Sequence, residues 1–138
     1  MIQYDSKYFT SFKFAKEQTV KHYENALKDL NIAIEDKILD VKFNYSYTAL
    51  IKSGVALLSF HQIKAKNALG HHFKIIEMLA SILKDDNISV LGNIMRNKRN
   101  VGLYAGGMIV TEKECKDYLE FVIDVLKRVK TILDKHKI

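Results

Sequence analysis

The residues best suited to chemistry lie in the segment Arg96-Asn97-Lys98-Arg99-Asn100-Val101-Gly102-Leu103-Tyr104, where three cations and two amides crowd toward the end of an amphipathic stretch. On a helix, residues four apart share a face. Arg96, Asn100 and Tyr104 would then align and offer a guanidinium fork, an amide and a phenol to one phosphate or nucleotide. A plainer use of the same cations stays open, because positive charge near a helix C-terminus is favourable to the helix dipole in any bundle.

Other groups point less directly to a reaction. Metal sites in helical bundles draw on Glu-x-x-His pairs from facing helices, and the chain has none, so no metal or other cofactor is expected. His71 and His72 are adjacent and would point about 100° apart on a helix, which makes a shared metal difficult. His61 stands alone, and all three read first as structural or surface residues. Gly102, Gly106 and Gly107 match neither phosphate-cradling loop spacing. Cys115 has no histidine nearby in sequence. A place near a helix start would lower its thiol pKa somewhat, but its expected role is structural.

The elements that must position these groups follow from composition and periodicity. A chain of 138 residues, 48% apolar and 28% charged, fits one globular domain, here residues 1–138. It contains no proline, which favours helices joined by short connections. With one cysteine and no opening segment like a secretory signal, the expected location is cytoplasmic. The most apolar stretch, 49–60, is broken by Lys52 and Ser53 and is too short to cross a membrane. The net charge of +6 leans weakly toward a polyanionic partner.

The fold expected is all-α: an antiparallel up-and-down four-helix bundle with an extra short helix. Residues 1–12 read as a short arm or helical lead-in. Helix one runs over about 13–34 with a stripe of Val20, Tyr23, Ala26, Leu27, Leu30 and Ala33 or Ile34. Helix two covers roughly 39–65 and is apolar around most of its circumference, so it sits centrally, with Gly54 admitting a close neighbour. Asn67 to Gly70 forms a turn into helix three, 71–83, whose core stripe is Phe73 or Ile76, Leu79, Ala80 and Leu83. After the break at Asp85-Asp86-Asn87, a shorter helix four spans 89–101, ended by the glycines at 102, 106 and 107. Thr111 and Glu114 form a capping box that opens helix five.

This order of elements resembles the HEPN domain family, helical nucleotide-binding domains of prokaryotes and higher eukaryotes. The likeness covers most of the chain. It rests on the amphipathic first helix, the Ala- and Leu-rich segment from Tyr47 to Phe60, the turn into Gly70-His71-His72, the Arg-Asn motif with its following tyrosine, and the long last helix. The resemblance implies a motif of Arg, four to six residues, then His, with a polar residue after the Arg. It also implies metal-independent ribonuclease activity in active members, toxin and antitoxin pairing with a minimal nucleotidyltransferase, and dimers in which two motifs face one cleft. Carried over, the arginine falls on Arg99, the polar follower on Asn100 and the histidine position on Tyr104, with Ala105 and Gly106 at the longer spacings. Counting from Arg96 ends on Gly102 or Leu103 and restores no histidine either.

The missing histidine matters, because cleavage needs a group that exchanges protons near neutral pH. A phenol of pKa about 10 is a poor base. Tyr104 therefore fits hydrogen bonding, stacking or packing better than catalysis. The leading expectation is RNA or nucleotide binding by a homodimer through Arg96, Lys98, Arg99, Asn100 and Tyr104. One alternative is a metal-independent endoribonuclease in which Arg99 holds phosphate and Tyr104, His71 or His72 moves the proton. Another is a non-catalytic dimerisation or partner-binding module whose arginines meet acidic side chains across an interface.

Overall fold

The computed structural model describes residues 2–104, 106 and 110–135, without the side chains at 103 and 104. Among them are five helices, α1 (Lys16–Glu35), α2 (Leu39–Phe60), α3 (His71–Leu83), α4 (Asp86–Tyr104) and α5 (Glu112–Asp134), and two short strands, β1 (Phe9–Ser11) and β2 (Ile63–Ala65). The chain is mostly helical, as expected. No described helix is long and apolar enough to cross a membrane.

Local chemistry sets the helix boundaries. At α5, Thr111 Oγ1 accepts from the Glu114 amide at 3.1 Å while the Glu114 carboxylate accepts from the Thr111 amide at 3.0 Å, the reciprocal cap expected from the sequence. At α1 the Gln18 side chain reaches back to the Ala15 amide at 2.7 Å. The helical run breaks at Lys84, φ 55°, and Asp85, as expected, and the segment also starts the next helix: the Asp85 carboxylate accepts from the Asn87 amide at 3.0 Å, and α4 begins at Asp86. With 19 residues α4 is longer than the 13-residue α3, so it is not the shorter helix expected. Gly102 does not end it but is buried within it, and Gly106, at φ 81°, follows. Gly107 lies outside the described residues.

The expected second helix stops five residues early. Gln62 has φ 62°, which no right-handed helix accommodates, and the chain then pairs β2 with β1 antiparallel, Thr10 opposite Lys64. The N-terminal arm is thus a strand and not a helical lead-in. Three-residue strands carry too little alternation to be read from sequence.

Helix α2 is central, with α1, α5, α3 and α4 all against it. Gly54 explains how α3 comes so close: a Cβ at this position would lie 2.5 Å from Ile75 Cγ2. Helices α1 and α2 run antiparallel, as the pairs Thr19–Ser59, Asp29–Thr48 and Ala33–Lys42 show. By contrast α5 runs in the same direction as α2: Cys115 meets Leu39, Phe43 stacks edge-on with Tyr118 at 5.6 Å, and Phe60 shares a pocket with Leu133. Strict alternation of five helices would have opposed these two.

The expected stripes of α1 and α3 hold in part: Ala26, Leu30 and Ala33 are buried on α1, and Ile76, Leu79 and Ala80 on α3. On α1 the buried face is Thr19, Ala26, Asp29, Leu30 and Ala33, while Val20, Leu27 and Ile34 are exposed. Small residues let α1 approach α2, and buried Asp29 is satisfied there by Thr48 Oγ1 at 2.9 Å and Lys52 Nζ at 2.8 Å. On α3 the buried residues are Ile75, Ile76, Leu79 and Ala80, which leaves Phe73 at the surface.

Candidate functional site

Two arginines of α4 lie against aromatic rings. Arg96 stacks over Phe73 and Arg99 over Tyr47, each guanidinium carbon 5.4 Å from the ring centroid. These contacts hold the planar cations in place while leaving their edges free to donate. Arg96 Nε also donates to Asn93 Oδ1 at 3.2 Å. Among the described residues no carboxylate forms an ion pair with either guanidinium. Arg99 is half-buried, so it is neither sealed in the core nor neutralised by an acid.

Beside these pairs an open groove of about 580 Å³ is lined by the loop 67–70, His71, His72, Phe73, Arg96 and Asn100. Gly70, the N-cap of α3, has φ 80°, which a residue with a Cβ adopts only with strain. It supplies no capping side chain, and the first turn of α3 holds no acidic residue, unlike the first turns of the other four helices. The positive end of the α3 dipole therefore meets the groove without a compensating carboxylate of its own.

The two histidines are fixed by different partners. His71 Nδ1 lies 2.9 Å from the Ala68 carbonyl, and His72 Nδ1 lies 3.1 Å from the Tyr47 hydroxyl. Their rings are 4.5 Å apart. Burial, and then the nearby charges of His71, Arg99 and Arg96, pull His72 down to about 4. Burial likewise pushes the Tyr47 phenol up to about 12, against the opposing pull of Arg99 and Arg96. At neutral pH both groups are uncharged, and Arg96 puts a positive charge on the groove wall.

A pH effect on stability follows. An unfolded His72 titrates near 6.5 and the folded one near 4, so between these values the unfolded chain holds the extra proton. The contribution of neutral His72 is fully present above 6.5 and declines as pH falls toward 4. Urea unfolding across this range should show His72→Gln losing less stability than the parent. Parallel curves for the two proteins would rule the effect out. Asp85 and Glu114, both held below their usual carboxylate values, lose their contributions at lower pH.

The structure brings Arg96, Arg99 and Asn100 together with His71 and His72, and it sets Lys98 apart. Lys98 lies on the other flank of α4 and pairs with Glu114 at 3.1 Å. The side chain of Tyr104 and all of Ala105 lie outside the described residues. Sequence reasoning missed Tyr47 and Phe73, the rings beneath the guanidiniums. Tyr47 falls within the apolar central helix and Phe73 is one of two alternatives, with Ile76, for the stripe of α3, and nothing in either local pattern marks a ring that an arginine will cover. Cys115 departs from expectation too: it is buried with Sγ donating toward the Leu39 carbonyl at 3.8 Å, and burial pushes its thiol up rather than down. In comparisons with known proteins the chain matches no family model, no curated protein and no solved structure.

Proposed function

We propose that the chain is a HEPN-like RNA- or nucleotide-binding protein, its helices a variant of the four-helix bundle with one additional helix, in which the groove between α3 and α4 receives phosphate. The observation that carries this reading is the pair of ring-stacked guanidiniums, Arg96 and Arg99, without a carboxylate partner among the described residues, beside the acid-free start of α3. Guanidiniums left without an acid of their own chain are open to an anion, whether a phosphate or the carboxylates of a partner. Asn100 adds an amide at the groove, and Lys98, already paired, adds little. Exposed Val90, Ile94 and Val101 on one face of α4 support a homodimer through that helix. A cytoplasmic toxin and antitoxin pair with a nucleotidyltransferase is the setting the family resemblance suggests.

The test is binding of a short single-stranded RNA measured over a salt series. Affinity should fall linearly on logarithmic axes as salt rises, because phosphate contacts release counterions. Salt-independent binding, or none, would remove the reading. The contact of His71 and His72 with the same groove favours a second reading, metal-independent RNA cleavage in place of simple binding. Product formation in excess chelator, lost in Arg96→Ala, would establish it. Intact RNA would leave binding as the function.

A further inference from the structure

The two groove histidines are tied to the protein through the same ring atom but to partners of opposite character. A carbonyl oxygen can only accept, so His71 Nδ1, 2.9 Å from Ala68 O, must carry the proton and donate it. The lone pair of His71 is then on Nε2. For His72 the partner is a phenol, which can donate or accept. Tyr47 is fully buried, and among the described residues its hydroxyl has no hydrogen-bond partner besides His72 Nδ1. If Nδ1 of His72 held the proton, the phenolic hydrogen would have no acceptor, a costly state for a buried donor. The phenol therefore donates to Nδ1, and the proton of neutral His72 sits on Nε2. Burial keeps Tyr47 protonated and His72 neutral, which preserves this arrangement at physiological pH.

We infer that His71 and His72 are locked in opposite tautomers and make the groove selective for a phosphate ester with a neighbouring hydroxyl. Nε2–H of His72 donates to a phosphate oxygen, and Nε2 of His71 accepts from the hydroxyl. Arg96, lining the same groove, supplies the charge on the phosphate. A ribose 2′-hydroxyl next to a 3′-phosphate meets this description, and its deoxy counterpart lacks the group that His71 would hold. The inference rests on the phosphate-binding reading above and adds to it the atom that discriminates.

Two measurements test it. Long-range proton–nitrogen NMR of the histidine rings in the ligand-free protein should show His71 protonated at Nδ1 and His72 at Nε2. The same tautomer at both positions would overturn the inference whatever the protein binds. Titration with uridine 3′-phosphate and 2′-deoxyuridine 3′-phosphate should then favour the ribonucleotide by about three- to tenfold, the usual net value of one hydrogen bond. His71→Asn, which keeps a donor for Ala68 but has no nitrogen at the Nε2 position, should bring that ratio down to about one. His72→Gln, which retains a donor, should bind both nucleotides better than His72→Leu. Equal affinity of the parent protein for the two nucleotides would sink the inference and leave the phosphate site standing. Binding of neither nucleotide would sink both.

Discussion

Replacing Arg96 with alanine is expected to weaken binding of single-stranded RNA by about ten- to a hundredfold, the loss that follows removal of a charge-assisted hydrogen-bond donor. The slope of affinity against salt should become shallower by about one counterion's share. Arg96→Lys should recover only part of the loss. A lysine keeps the charge, but it has neither the planar fork nor the flat face that rests on Phe73. Arg99 acts from behind the groove through its stack on Tyr47. Arg99→Ala should therefore weaken binding less and raise the pKa of His72 from about 4 toward its ordinary value, because one of the charges that lowers it is gone. Unaltered RNA affinity in Arg96→Ala would remove the groove from consideration. The unfolding midpoint of each variant shows whether a loss arises at the site or from the fold.

The second large effect is on stability. Gly54→Val should destabilise the protein by about 3 kcal/mol, since even the first carbon of the new side chain would lie 2.5 Å from Ile75 Cγ2. Some of this is offset because glycine is itself unfavourable inside a helix, by about 1 kcal/mol relative to alanine. Relief has to come from the Ile75 side chain or from a shift of α3, and a shift of α3 carries His71 and His72 with it. RNA affinity should then fall with stability in this variant although no ligand contact is altered. Ile75→Ala removes the opposing methyl, and the double variant should lose less stability than the sum of the two single ones. Simple additivity would show that the crowding is not between these two residues.

The helices were legible because their signals are local. The Thr111 and Glu114 cap lies within one turn, so the start of α5 was legible from sequence alone. The central place of α2 was legible for the same reason, from apolar residues around its circumference. The strands were not, since three residues carry almost no period and the partner of Phe9 is Ala65. The buried face of α1 was legible only in part, because burial there follows size and pairing: Asp29 goes inside with Thr48 and Lys52, and bulkier Leu27 stays out.

At the candidate site, the cations were legible as a crowded run in one segment, and their surroundings were not. Arg99 meets Tyr47 and Arg96 meets Phe73 only after α2, α3 and α4 have assembled. The same holds for the histidines. Adjacent positions in sequence suggested divergent rings, yet each is steered by a partner outside the pair, Ala68 for His71 and Tyr47 for His72.

The pairing of β1 with β2 bears on how this molecule is made. The loop on one side of the groove, 67–70, follows directly from β2, and the Lys66 amide is held by the Tyr8 carbonyl at 2.7 Å. During synthesis the N-terminal strand leaves the ribosome long before its partner does, and such distant pairings close slowly. Helices α1 and α2 can pack while β1 is still waiting, whereas the groove cannot take its final shape. A nascent chain can therefore pack its first two helices before it acquires any place for a ligand.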